Sequence, residues 1–135
     1  MRSLTAIAVG VLCTGLVAAD AQAQRRDRDW EELGCKKVNF FGVDRDVIPV
    51  GRREGRFKAI RLSARGNDVE MLDLRVVYAN GAPDDIPVRS LIRQGDRTRP
   101  LDLRGWERSI RHVEMVYAKR LNFRGSATVC VEGLQ

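Results

Sequence analysis

The chain has 135 residues, with 24 lysines and arginines, 18 aspartates and glutamates, and a formal net charge of +6. This length is that of one ordinary domain, which excludes a multidomain enzyme. The basic residues are 20 arginines and only 4 lysines, and acidic residues are interspersed among them, which excludes a polybasic tail. The composition identifies neither a ligand nor a reaction.

The first 23 residues have the three regions of a cleaved secretory signal peptide. Arg2 supplies the positive charge, residues 4–19 are an uncharged run, and residues 21–23 form a small-x-small cleavage site. The uncharged run is shorter than the roughly 20 residues that a transmembrane helix needs. We therefore predict export to the periplasm or the medium, with no transmembrane anchor in the mature chain.

A polar arm at residues 24–29 precedes short apolar runs that often alternate with polar residues. Glycine, asparagine, aspartate and proline separate these runs, which is typical of strands joined by turns. We predict one all-β domain at residues 30–135, an antiparallel β-sandwich of about eight strands with Greek-key connections. The predicted strands cover residues 33–41, 46–50, 57–64, 69–80, 86–90, 100–103, 110–119 and 126–132.

Within the predicted strand 69–80, alternation indicates which side chains face the core. The even-numbered residues from Leu72 to Tyr78 share the core face, whereas Val69 and Met71 before them have the opposite parity. One extra residue in the strand restores the core face. We therefore predict a β-bulge near Met71 and Leu72.

Two cysteines remain after removal of the leader, which contains Cys13. An even number of cysteines in an exported domain predicts a disulfide, here between Cys35 and Cys130. It closes a loop that spans nearly the whole domain, for which the chain-entropy model gives roughly 4–5 kcal/mol of stabilisation. A redox-active pair would favour a close Cys-x-x-Cys spacing, so we expect a structural role.

His112 is the only histidine, so an imidazole-based mechanism would have to use it. Parity in the predicted strand 110–119 directs Val113, Met115 and Tyr117 to the core and leaves His112 and Glu114 outside. This is ordinary surface polarity, and we expect no catalytic residue. The alternative is a small secreted hydrolase or lyase that uses His112 with a nearby acid or arginine.

We predict no metal site and no cofactor. One histidine without a free cysteine does not provide the usual zinc ligands. Asp84 and Asp85 follow a turn and could hold a hard cation such as calcium, but their spacing matches no loop that supplies six to eight oxygens. Asx turns explain these two residues equally well.

Arginine clusters are the main indication of a binding site. Three candidate anion-binding residues, Arg52, Arg53 and Arg56, lie in the glycine-bounded loop 51–56. A second group recurs every two to four residues, at Arg89, Arg93, Arg97 and Arg99. Guanidinium binds carboxylate, sulfate and phosphate through paired hydrogen bonds, so an anionic envelope glycan or lipid head group is the predicted partner. The alternative is the solvated surface of a basic protein.

The aromatic residues provide one further candidate binding residue and argue against a nucleic-acid partner. Trp106 follows a turn glycine and is a candidate for stacking on a sugar ring, or alternatively covers an open end of the core. The basic composition invites a nucleic-acid interpretation, but the aromatics fall mostly on core parity and form no stacking platform. Together with the export signal, this excludes nucleic acid as the expected partner.

Five segments between residues 55 and 133 resemble the YaaI-like family of short exported bacterial proteins of unknown function. They are GRFKAIRL (55–62), VVYANG (76–81), DDIPVR (84–89), LDLRG (101–105) and ATVCVEG (127–133). The resemblance covers most of the mature chain and implies an exported β-sandwich without an assigned activity. We therefore expect a non-enzymatic binding or scaffolding module of the cell envelope, with a purely structural envelope protein as a further alternative.

Overall fold

A computed structural model describes Gly10 and residues 29–39, 44–105, 107–118 and 125–135. The predicted leader, apart from Gly10, and residues 24–28 of the predicted arm lie outside the described residues. The described chain forms two antiparallel sheets around one hydrophobic core, which confirms the predicted all-β sandwich. Within the described residues, both sheets are open.

The described strands are numbered in chain order. They are β1 (Trp30–Asn39), β2 (Asp44–Pro49), β3 (Ala59–Arg65), β4 (Val69–Tyr78), β5 (Pro83–Ile86), β6 (Ser90–Ile92), β7 (Leu101–Asp102), β8 (Ile110–Ala118) and β9 (Ser126–Leu134). The four-stranded sheet has the order β1-β9-β3-β7. The five-stranded sheet has the order β2-β8-β4-β5, and β6 also pairs with β4.

One predicted strand, at residues 86–90, is divided into two. β5 pairs with the second half of β4, and β6 pairs with its first half. Pro87 lies between them, and proline has no N–H with which to continue a ladder. The prediction of a single strand here was therefore wrong, although its apolar residues Ile86 and Val88 are both buried.

The predicted bulge in β4 is confirmed. Along the pairing with β8, the register shifts between Met71 and Asp73, so Leu72 is the extra residue. Met71 before the bulge and Leu74 after it are both buried, as the change of parity requires. Leu72 itself is only half-buried, which corrects its predicted place on the core face.

The core lies between the inner faces of the two sheets. On β8 the predicted inward residues Val113, Met115 and Tyr117 are at most 1% exposed. The largest fully buried side chains come from both sheets and include Tyr78, Tyr117, Phe57, Ile48, Ile60 and Leu62.

The two edges of the sandwich differ, and this difference positions the candidate site. At one edge lie β1 and β2. At the other, β6 ends the five-stranded sheet, and residues 95–98 run alongside β3 in the four-stranded sheet. The amide of Gly95 donates to the Ala64 carbonyl at 2.8 Å, and the amide of Thr98 donates to the Leu62 carbonyl at 2.8 Å. Chain segments from both sheets therefore meet at this second edge.

Candidate functional site

The predicted disulfide between Cys35 and Cys130 is present. The two residues are register partners on β1 and β9, and 95 positions separate them in the sequence. Cys130 is fully buried, while Cys35 is exposed at the sheet edge. The bond joins the first and last strands of the described fold, as expected for a structural role.

The predicted anion-binding loop forms a short 3-10 turn at Arg52–Glu54. Gly51 and Gly55 flank the turn with φ of 92° and 103°, values that favour glycine over residues with a side chain. Arg53 and Arg56 are exposed, and the side chain of Arg52 lies outside the description. Arg56 contributes to an open depression of about 440 Å³ that also includes Glu107 and Arg108.

Trp106, the candidate for sugar stacking, lies outside the described residues. The glycine before it, Gly105, has a φ of 77°, and a Cβ at this position would lie 3.1 Å from Nη1 of Arg108. Arg108 in turn stacks on the ring of Tyr78, with its guanidinium carbon 3.9 Å from the ring centroid. Its guanidinium also donates to the Arg104 carbonyl at 3.2 Å, so Arg108 is committed to contacts within the fold.

The second arginine group comes together in one place, which we name the edge cleft. It is an open depression of about 360 Å³ at the edge where β6 and residues 95–99 meet. Its lining residues are Pro87, Val88, Arg89, Ser90, Leu91, Ile92, Arg93, Asp96, Arg97, Thr98 and Arg99. Four of them are arginines and one is an acid, so the cleft has an excess of positive charge.

Three of these arginines are available to a ligand. Arg89, Arg93 and Arg99 are exposed, and within the described parts of the chain no hydrogen bond or ion pair engages their guanidinium groups. Arg89 and Arg93 flank β6, whereas Arg99 belongs to the segment beside β3. The sequence showed their recurrence, but their convergence depends on bringing the two sheets together at this edge.

Arg97, the fourth arginine of the cleft, forms an ion pair with Glu132. Its Nε lies 3.4 Å from Oε1 of Glu132, a side chain on the outer face of β9 that is only 7% exposed. The other carboxylate oxygen of Glu132 accepts a short hydrogen bond from Nε of Arg61. Arg61 also stacks on Trp30, 4.4 Å from its ring centroid. Sequence analysis missed this cluster, since a glutamate on an outer face is usually exposed.

A larger depression, of about 490 Å³, lies on the outer face of the five-stranded sheet, but acidic side chains in its lining offset the charge of its arginines. Arg75 donates to both carboxylate oxygens of Asp85, at 2.7 and 3.4 Å. This hydrogen bond lowers the pKa of Asp85 and raises the pKa of Arg75. With Asp73 and Glu114 also in the lining against Arg75 and Arg45, this face has no excess of positive charge.

The adjacent aspartates considered for calcium point to opposite faces of β5. Asp85 is exposed, while Asp84 is 3% exposed and accepts a hydrogen bond from the Tyr78 hydroxyl at 2.5 Å. The backbone amide of Arg104 also donates to Asp84, at 3.1 Å. Burial is the main cause of the raised pKa of Tyr78, and the hydrogen bond to Asp84 raises this pKa further. The two carboxylates therefore do not converge, and Asp84 instead ties the β7–β8 connection to β4.

His112 lies on the outer side of β8, as parity predicted. Its side chain is 24% exposed, and its Nε2 lies 3.2 Å from Oε1 of Glu114. A histidine beside a carboxylate is one component of an acid–base site. The contact alone identifies no substrate position, so the hydrolase or lyase alternative stays a prediction.

Within the described residues, no helix is long and apolar enough to cross a membrane.

Comparison with known proteins identifies a family for this chain. A family described as "Domain of unknown function (DUF2541)" matches residues 7–133. No curated protein and no solved structure matches the chain. The family description fits the uncharacterised status that the YaaI-like resemblance implied, and it does not test that family name.

Proposed function

The chain belongs to the DUF2541 family, whose description assigns no activity, and from the edge cleft we propose that it is a non-enzymatic binding module of the cell envelope. The cleft takes an anionic group, either a sulfate, phosphate or carboxylate of an envelope glycan or the phosphate of a lipid head group. The observation that carries this proposal is the convergence of four arginines around one depression with a single acid in its lining.

The physical basis is the chemistry of arginine. A guanidinium group donates two parallel hydrogen bonds to the two oxygens of an anion, which a lysine ammonium does not do. Arg97 is preorganised because Glu132 holds its Nε, so less conformational entropy is lost when it contacts a ligand. Arg89, Arg93 and Arg99 add charge from two sides of the cleft.

The predicted loop residues Arg52, Arg53 and Arg56 are a second, weaker candidate for the same ligand chemistry. In the depression beside them, Arg56 shares the lining with Glu107, and Arg108 is occupied by Tyr78 and Arg104. We therefore place the principal contact at the edge cleft and treat the loop as a separate arm of the test.

Export and location in the cell envelope form the second part of the proposal. It is supported by the signal-peptide pattern at residues 1–23 and by a disulfide, a bond that persists in oxidising compartments. Fusion of residues 1–23 to a reporter that is active only after export tests this part directly. Retention of the fusion in the cytoplasm would contradict it.

The binding test compares triple substitutions that remove the same charge. In the cleft variant, Arg89, Arg93 and Arg99 become glutamine. In the control variant, Lys36, Lys37 and Arg45 become glutamine; these exposed residues lie on β1 and β2, at the opposite edge of the sandwich. A third variant, Arg53→Gln with Arg56→Gln, tests the predicted loop.

Affinity is measured for dextran sulfate and, separately, for vesicles of phosphatidylglycerol and of uncharged phosphatidylcholine. At about 1 kcal/mol for each lost charge-assisted contact, the cleft variant should bind about 100-fold more weakly than the wild type. The control variant should lose less than about threefold, through general charge alone. Binding to dextran sulfate alone, or to phosphatidylglycerol vesicles alone, identifies the source of the anion. Equal losses of affinity in the cleft and control variants would overturn the proposal.

A further inference from the structure

A bulge in β1 brings a carboxylate beside the disulfide. Residues three apart in a regular strand point to opposite faces, so Glu32 and Cys35 would ordinarily be separated. Here the register shifts between Glu32 and Gly34, and Glu32 pairs with Glu132 while Cys35 pairs with Cys130. Directly opposed residues share a face, so all four lie on the outer side of the four-stranded sheet. Oε1 of Glu32 lies 2.5 Å from Sγ of Cys35.

These three side chains carry the atoms that bind zinc. A carboxylate oxygen of Glu32 and the sulfurs of Cys35 and Cys130 all lie within 4.8 Å of one another. Thiolate sulfur and carboxylate oxygen both ligate zinc in proteins, in a tetrahedral arrangement. While the sulfurs are bonded to each other, they are not thiolates. Opening the bond and rotating the cysteine side chains would provide two.

We propose that reduction of the Cys35–Cys130 disulfide creates a zinc site formed by Cys35, Cys130 and Glu32. A dithiol reductant donates two electrons and two protons; the bond between the cysteine sulfurs breaks, and the reductant forms its own disulfide. When Zn²⁺ binds, the two thiols release two protons to solvent. Three protein ligands leave one tetrahedral position for a water molecule.

The surrounding charges accommodate this ion. Arg61 and Arg97 both pair with Glu132, and together with Glu32 these four side chains have no net charge. Zn²⁺ with two thiolates adds none, so the loaded site places no uncompensated charge beside the buried Glu132. Zinc would then hold β1 against β9 in the reduced protein, where the disulfide holds them in the oxidised protein.

The experiment uses the folded, oxidised chain, which is reduced with a water-soluble phosphine and titrated with Co²⁺ and then Zn²⁺. The reduced wild type should bind one Co²⁺ with the thiolate-to-cobalt absorption of a tetrahedral site, and Zn²⁺ should displace it. The oxidised wild type and Cys35→Ser should lack this absorption. Chelator competition then gives the zinc affinity of each variant.

Glu32→Gln, matched with Glu31→Gln as the control, identifies the third ligand. Glu31 is the exposed neighbour of Glu32, and its register partner is Gly133, so it lies off the row of the cysteines. Loss of an anionic ligand should weaken zinc binding by at least about tenfold in Glu32→Gln, with no change in Glu31→Gln. Absence of the cobalt absorption in the reduced wild type, or equal zinc affinities for Glu32→Gln and Glu31→Gln, would overturn the proposal.

Discussion

Loss of the Glu132 charge is expected to lower the stability of the fold. Glu132→Gln removes the charge that Arg61 and Arg97 share while keeping the size of the side chain. The side chains of Arg61 and Arg97 are 13% and 45% exposed, so the ion pair of Glu132 with Arg61 is the nearly buried one. Glu132→Gln therefore breaks a nearly buried ion pair as well as a more exposed one.

The magnitude follows from these exposures. Removing one partner of a buried ion pair costs about 3–5 kcal/mol of stability. A half-exposed pair such as that of Arg97 with Glu132 contributes at most about 1 kcal/mol. The glutamine oxygen still accepts one hydrogen bond, and Trp30 still stacks on Arg61, which reduces the loss. We expect Glu132→Gln to lower the free energy of unfolding by about 2–3 kcal/mol, or the melting temperature by roughly 10–20 °C.

Urea denaturation followed by circular dichroism measures this loss. Glu107→Gln is the matched control, because Glu107 pairs with Lys58 at 3.8 Å with both side chains at least 40% exposed, and it should lose less than about 0.5 kcal/mol. The double variant Arg61→Gln with Glu132→Gln should be destabilised by less than the sum of the single variants, since both single variants remove the same ion pair. A loss in Glu132→Gln equal to that in Glu107→Gln would refute the reasoning.

Two further predictions concern stability. Cys35→Ser with Cys130→Ser should lose about 4–5 kcal/mol in urea denaturation with a metal chelator present, since the bond closes a loop across nearly the whole described fold; an unchanged urea midpoint would contradict this. For Tyr78, a raised pKa means that the protonated hydroxyl is favoured in the folded state. This contribution is complete below the pKa of free tyrosine, near 10, and is lost as the pH rises above it. The urea midpoint of the wild type should therefore fall more steeply above about pH 10 than that of Tyr78→Phe, and parallel profiles would show that Tyr78 is not responsible.

Much of the fold was predictable because it depends on local periodicity. Alternation placed Val113, Met115 and Tyr117 in the core and located the bulge beside Met71. The disulfide followed from the count of cysteines and the predicted compartment. The divided strand at Pro87 was predictable in principle, because proline has no N–H with which to continue a ladder.

The candidate site was only partly predictable. The recurrence of Arg89, Arg93, Arg97 and Arg99 is visible in the sequence, yet the predicted anion-binding residues were Arg52, Arg53 and Arg56 in the loop 51–56. Nothing local distinguishes the two groups. The difference arises because residues 95–98 run alongside β3 while β6 pairs with β4, which brings the second group to one edge.

The sequence by itself determined the fold class, the core-facing residues of β8 and the pairing of Cys35 with Cys130, because alternation and cysteine count are properties of the chain alone. The tertiary structure decided which charged side chains bind one another and which are exposed to solvent. Glu132 is buried because Arg61 on β3 and Arg97 beside it both reach the carboxylate, and Asp84 is buried because Tyr78 and the Arg104 amide bind it. Such contacts join residues far apart in the chain, and no pattern along a single strand records them.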